Sequence, residues 1–149
     1  TEDIYPSQEH FISNLLRQKL ISEINALPIS TTPKETWVLL LNEGELHEIG
    51  LLYAQYLLKL NDYRVIYLGA NVPYRDLKSV IELSKPHSFF TINTTPQEID
   101  ITEQFFTILA EDFPENKVYF SQAHDNLPSN LPGNCHYLKD IPSLKKLLK

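Results

Sequence analysis

From Thr36 to the end of the chain, short unbroken apolar runs alternate with stretches whose apolar residues recur every three to four positions. A run such as Trp37 to Leu41 suits a strand covered on both faces, and the helical stretch after it supplies part of the cover. Repeated, the pair makes βαβ units with a parallel sheet. The predicted strands are Trp37–Leu41, Arg64–Leu68, Ser88–Thr94, Lys117–Ser121 and a weaker His136–Leu138. The predicted helices are Glu48–Leu60, Tyr74–Leu83, Ile101–Asp112 and Pro142–Leu148. Parallel neighbours need right-handed crossovers, so the string predicts a doubly wound α/β sheet of about five parallel strands. In such sheets ligands bind beyond the carboxyl ends of the strands, which here means after Leu41, Leu68, Thr94 and Phe120.

Ahead of this unit, Pro6 opens a segment with apolar residues at Phe11, Ile12, Leu15, Leu16, Leu20, Ile21 and Ile24, the spacing of an amphipathic helix ending near Leu27 and Pro28. Ile29 to Lys34, with Pro33 and three hydroxyl residues, reads as a linker. The expected division is residues 1–34, helix and linker, and residues 35–149, the α/β domain.

Composition narrows the functional classes. With 42% hydrophobic and 21% charged residues, 149 residues suffice for one real core, and no apolar run approaches the roughly 20 residues of a membrane span. The net charge is -6 and the cations are scattered except at the very end, so this fragment is not expected to grip DNA by itself. A single cysteine, Cys135, in a stretch resembling a loop, excludes an internal disulfide or a thiolate cluster, fits a reducing cytoplasm and reads as a spectator thiol. The chain contains no methionine, and Thr1 to Asp3 do not resemble a signal peptide, so it is expected to be a piece of a longer protein.

The most informative stretch follows the first strand: Asn42-Glu43-Gly44-Glu45-Leu46-His47-Glu48-Ile49-Gly50. An imidazole ligates metal through one ring nitrogen, and a carboxylate commonly holds the other, fixing the tautomer. Glu45, two residues before His47, is placed to do this, and Gly50 lets something bulky approach the backbone. Taken alone, His47 reads as an exposed loop histidine. No second histidine or cysteine stands at ligand spacing, so a protein-built zinc site is not expected, and the remaining ligands of any metal must come from a cofactor. His87, His124 and His136 read as surface residues, and Tyr53 and Tyr56 as packing residues.

Glu45-x-His47-x-x-Gly50 resembles the Asp-x-His-x-x-Gly motif of cobalamin-binding domains, in which the histidine becomes the lower cobalt ligand. The family's Ser-x-Leu is matched by Thr91-Ile92-Asn93, beginning 41 residues beyond Gly50, with the hydroxyl kept and the leucine not. Tyr67 to Pro73, containing Gly69 and Val72, is similar to the family's turn after the second strand. The family's Gly-Gly pair is replaced by Ser121-Gln122, whose side chains would narrow the slot for the nucleotide tail. The glutamate at position 45 and the Glu9-His10 pair resemble the MerR-type, light-responsive cobalamin regulators, in which a helical bundle covers the upper face of the corrin.

The resemblance implies a flavodoxin-like fold with the opening helix as the remnant of a helical cap. It also implies adenosyl- or methylcobalamin as cofactor. The expected cofactor contacts are Glu9, His10, Glu45, His47, Gly50, Gly69, Val72, Thr91, Ser121 and Gln122, with His47 on cobalt. The implied function is a non-enzymatic effector-sensing domain of a cytoplasmic MerR-family regulator, reaching DNA only through an upstream domain and leaving homo-oligomerisation open. A corrinoid carrier of a methyltransferase system, and a degenerate interaction domain that has lost its cofactor, are the alternatives.

Overall fold

A computed structural model describes residues 5–96, 99–123 and 127–149, with the side chains of residues 99 and 100 set aside. The surface position expected for His124 lies outside the described residues.

Thr36–Asn42 (β1), Arg64–Val72 (β2), Ser88–Asn93 (β3), Lys117–Gln122 (β4) and Cys135–Tyr137 (β5) form one parallel sheet in the order β2-β1-β3-β4-β5. Every residue of β1 is buried, as a central strand with both faces covered requires, whereas β2 and the three-residue β5 form the more exposed edges. The helices are Pro6–Ala26 (α1), Ile49–Leu60 (α2), Tyr74–Ser84 (α3), Ile99–Asp112 (α4) and Ile141–Leu147 (α5). This is the doubly wound sheet that the sequence pattern predicts, in the flavodoxin-like form that the resemblance implies.

Alternation along the strands splits the core in two. Trp37, Leu39, Leu41, Phe90 and Tyr119 pack with α2 and α5 on one face, with Tyr53 and Tyr56 at the margin; Val38, Leu40, Phe89, Val118 and Phe120 pack with Leu77, Ile81, Phe106 and Leu109 of α3 and α4 on the other. The strand order reverses at β1, between β2 and β3, and the loops leaving these strands therefore diverge and open a crevice.

Three local expectations are corrected. Residues 67–72 are not a turn: β2 continues to Val72, slipping register against β1 twice, with partners Leu39↔Tyr67, Leu40↔Gly69 and Asn42↔Val72. Gly69, at φ +82°, and Asn71, at φ +53°, supply the left-handed conformations that let the strand bulge and carry on. Cys135 opens β5 rather than lying in a loop; it is half-buried, and burial pushes its thiol up to about 11, so it stays protonated. Finally, the apolar stripe of α1 is largely uncovered. Ile24 is buried where α1 packs on α2, but Phe11 is 65% exposed and Ile12, Leu15 and Leu16 are also exposed, because the face that the first part of the helix turns to the crevice is the polar one, Glu9, His10, Ser13, Asn14 and Arg17.

Candidate functional site

The loop between β1 and α2 is held by one buried carboxylate. Glu45 is 1% exposed, and its Oε1 accepts hydrogen bonds from the backbone amides of Leu46 (2.9 Å) and His47 (3.0 Å), while Oε2 accepts from those of Thr94 and Thr95, both at 2.7 Å. Glu45 thus ties the end of β1 to the end of β3. Burial alone would raise its pKa, but the bonds from Thr95, His47 and Thr94 outweigh it and hold the carboxyl at about 2. The sequence already implied Glu45, but not Thr94 and Thr95; the only advance signal for them was their position at a strand's carboxyl end.

The same carboxylate orients His47. Its Oε1 lies 2.6 Å from Nδ1 of the imidazole, with Thr95 Oγ1 3.3 Å from the same nitrogen. The bonds to the ring are made at Nδ1, which leaves Nε2 for a ligand, and the side chain is 62% exposed.

His47 lies in a cleft of about 510 Å³ between the α/β domain and α1. Leu46, His47, Glu48, Ile49, Gly50 and Thr94 form one wall; Glu9, His10, Ser13, Asn14 and Arg17, one face of α1, form the other. Glu9, His10, His47 and Gly50, 37 to 41 residues apart in sequence, therefore share one space. Glu9 and His10 are exposed and 3.3 Å apart.

Glu48, in the same wall of the cleft as His47, is a second junction. One oxygen meets Arg17 Nη1 of α1 at 2.5 Å; the other accepts from Tyr67 Oη and the Ala70 amide of β2, both at 3.2 Å. Burial, with the Glu48 charge beside it, drives the Tyr67 hydroxyl well above its ordinary value, so Tyr67 remains a neutral donor. Neither Arg17 nor Glu48 was singled out from sequence as a site residue, because their pairing depends on how α1 docks.

The remaining expected site residues lie apart from the cleft. Gly69 is buried against Glu48, where an added Cβ would come within 2.8 Å of Oε1. Val72 lines a separate cavity of about 230 Å³ with Asn42, Tyr74 and Phe105 on the α3 and α4 side. Thr91 and Gln122 are buried on that same side of the sheet, and Ser121, half-buried, points to the opposite side. Even Gly50 meets protein: a Cβ there would lie 2.9 Å from Ile92 Cδ1, so its first explanation is close packing of α2 on β3. His87 and His136 are exposed, with His87 Nδ1 accepting the Thr36 amide at 3.1 Å. Among the described residues no group of three or more His, Cys, Asp or Glu could hold a metal ion by itself.

A five-stranded parallel sheet with a histidine-bearing loop after its first strand is the fold of cobalamin-binding domains, and comparison with known proteins agrees. Over 126 residues, 85% of this chain, it is 32% identical to the HTH-type transcriptional repressor CarH of Myxococcus xanthus. It spans 37% of that protein's length. The structure is similar to the methanol:cobalamin methyltransferase complex MtaBC of Methanosarcina barkeri, with a TM-score of 0.62, 17% identity, and coverage of 98% of this chain and 64% of that one. It is also similar to the monomethylamine corrinoid protein of Methanosarcina barkeri, with a TM-score of 0.61, 14% identity, and coverage of 97% of this chain and 70% of that one. No family model matches the chain. The chain thus shares its fold with solved corrinoid proteins and is related in sequence to part of a CarH repressor. Among the described residues, no helix is long and apolar enough to cross a membrane.

Proposed function

We propose that this chain is the cobalamin-sensing part of a MerR-type transcriptional regulator, acting by binding rather than by catalysis. The observation that carries the reading is the Glu45–His47 pair. A buried carboxylate fixes Nδ1 and leaves Nε2 of a cleft-lining His47 free, the single nitrogen donor that a corrinoid would take from the protein. His47 would hold the cobalt, Glu45 would set the ring's orientation and basicity, and Glu9 and His10 would line the corrinoid site from α1. Bound in an alkylated form, the corrinoid supplies a light-sensitive cobalt–carbon bond.

Fit at the tail end is tighter. Thr91, which the resemblance places on the nucleotide tail, is 1% exposed, and its Oγ1 has no partner among the described residues, so it keeps a hydrogen bond to give. The nucleotide would reach it only as neighbouring side chains shift, Gln122 and Ser121 among them.

Kinship to an HTH-type repressor supports a regulatory role, with DNA read by a domain outside this chain, which itself carries a net charge of -6. In this reading the protein works in the cytoplasm. Occupation of the cleft would bias the packing of α1 on α2 and thereby the assembly of the whole regulator, since a ligand bridging both walls binds one arrangement of them better than another. The likeness of fold to corrinoid proteins over nearly the whole chain, α1 included, favours a second reading, a corrinoid carrier for a methyltransferase.

Titration with adenosylcobalamin and methylcobalamin, followed by visible absorbance, tests the main proposal. A saturable change on replacement of the lower ligand, lost in His47→Ala, is expected. No change in either protein overturns it and leaves the domain a degenerate interaction module. DNA binding by the full-length protein that depends on the corrinoid separates a regulator from a carrier.

A further inference from the structure

The carboxyl end of β3 carries an unusual arrangement. Asn93 is 2% exposed, and neither Nδ2 nor Oδ1 has a hydrogen-bond partner among the described residues; two positions earlier, on the same face, Thr91 Oγ1 is in the same state. Buried polar groups are almost always paired, and a primary amide missing both its donor and its acceptor interactions is costly. Packing would be served better by leucine, which is close in volume and has nothing to satisfy. Along the chain these groups adjoin the cleft: the next residue, Thr94, lines it, and the Thr94 and Thr95 amides hold the carboxylate that orients His47. On the same face, on the neighbouring strand, Asn42 borders the cavity of about 230 Å³.

Resting on the corrinoid reading above, we infer that Asn93, with Thr91, selects a corrinoid whose lower nucleotide carries a purine. The chemistry is a matter of matching. A dimethylbenzimidazole presents one free ring nitrogen and two methyl groups, so it can accept one hydrogen bond, which the Thr91 hydroxyl can supply, and it offers no donor. It would leave the Asn93 carbonyl, and with it the amide, unpaired against methyl carbon. Adenine presents an amino donor beside a ring-nitrogen acceptor, the pair that an asparagine amide engages through Oδ1 and Nδ2 together. Removing partners from a buried amide is what gives a polar site its discrimination, so the preference should be large and should reside in the tail.

The test uses three probes on the same protein: an adenine-bearing corrinoid, cobalamin with its dimethylbenzimidazole, and cobinamide, which has no nucleotide. The expected order is adenine-bearing tightest, by about tenfold or more over cobalamin. In Asn93→Leu and Asn93→Ala the preference for adenine should vanish while the affinity for cobinamide is unchanged, since cobinamide reports only the corrin and His47. Ligand-free Asn93→Leu should also melt at a higher temperature than the unaltered protein, because it removes an unpaired buried amide. Equal affinity for the two nucleotide-bearing corrinoids, or a preference that survives both substitutions, overturns the purine inference while leaving the His47 reading standing. Failure of all three, cobinamide included, overturns both.

Discussion

The guanidinium of Arg17 and the carboxylate of Glu48 meet at 2.5 Å where α1 crosses the start of α2, and that pair, with Lys59 Nζ donating to the Ile24 carbonyl at 3.1 Å, is the polar attachment of α1 to the α/β domain. Glu48 is 14% exposed and also bonded to β2, whereas Arg17 is 40% exposed and solvent screens its side of the pair. Arg17→Ala should therefore cost no more than about 1 kcal/mol in urea unfolding. Its larger effect should be local, as faster hydrogen exchange in α1 with the sheet unchanged. Glu48→Ala should cost more, about 1–3 kcal/mol, because it also strips partners from Tyr67 and the Ala70 amide. Equal exchange in α1 for the unaltered protein and Arg17→Ala would mean that Ile24 and its apolar neighbours dock the helix unaided.

Glu45 is the residue whose loss should do most damage. Glu45→Ala leaves the Thr94 and Thr95 amides, the Leu46 and His47 amides and the His47 ring without their acceptor. A destabilisation of about 3 kcal/mol or more is expected by denaturant titration, together with weakened corrinoid binding. His47→Ala, at an exposed side chain, should change stability by less than about 0.5 kcal/mol while abolishing the corrinoid-dependent spectrum. The contrast separates the residue that builds the loop from the residue the loop presents.

How far these roles could be read in advance depended on whether the relevant contact was local. Apolar runs such as Trp37 to Leu41 and the periodic stretches between them gave the sheet and its helices, since burial on two faces leaves a continuous signature. Glu45 and His47, two residues apart, could be paired on paper. Glu48 with Arg17, and Glu45 with the Thr94 and Thr95 amides, are joined across 31 and 49 to 50 positions, and no spacing rule reaches that far. The bulged end of β2 was read as a turn because glycine and asparagine signal both; only pairing with β1 distinguishes them. The stripe on α1 correctly marked a helix, but periodicity identifies an apolar face without saying that anything covers it.

Two glycines give opposite expectations for the same substitution. Gly69 sits at φ +82°, and a Cβ would press to 2.8 Å from Glu48 Oε1, so Gly69→Ala combines backbone strain with disturbance of the Glu48 junction and should cost about 1–3 kcal/mol. Gly50 has helical backbone, and its Cβ would meet only the end of the Ile92 side chain, at 2.9 Å. There the gain in helix propensity, about 1 kcal/mol, offsets a rotamer shift at Ile92, and Gly50→Ala should fall within about 1 kcal/mol of the unaltered protein. Thermal melts of the two variants side by side check this. If Gly50→Ala folds normally yet binds corrinoid poorly, the glycine serves the ligand as well as Ile92.

Acid should expose the Glu45 interaction. Its carboxyl titrates at about 2 in the folded protein against an ordinary 4.5, the bonds to Thr95, His47 and Thr94 having overcome the effect of burial. A depressed folded pKa means that the unfolded chain takes up the proton first, so the contribution is complete above about pH 5 and drains away as pH falls from 4.5 towards 2. A shift of that size corresponds to at most about 3 kcal/mol. In the ligand-free protein, unfolding free energy measured from pH 7 to pH 2.5 should decline through this window. In Glu45→Gln, which is already weaker at pH 7, the decline should be shallower, so that the two curves converge in acid. Parallel curves down to pH 2.5 would show that some other carboxylate governs acid unfolding and that Glu45 keeps an ordinary pKa in its buried seat.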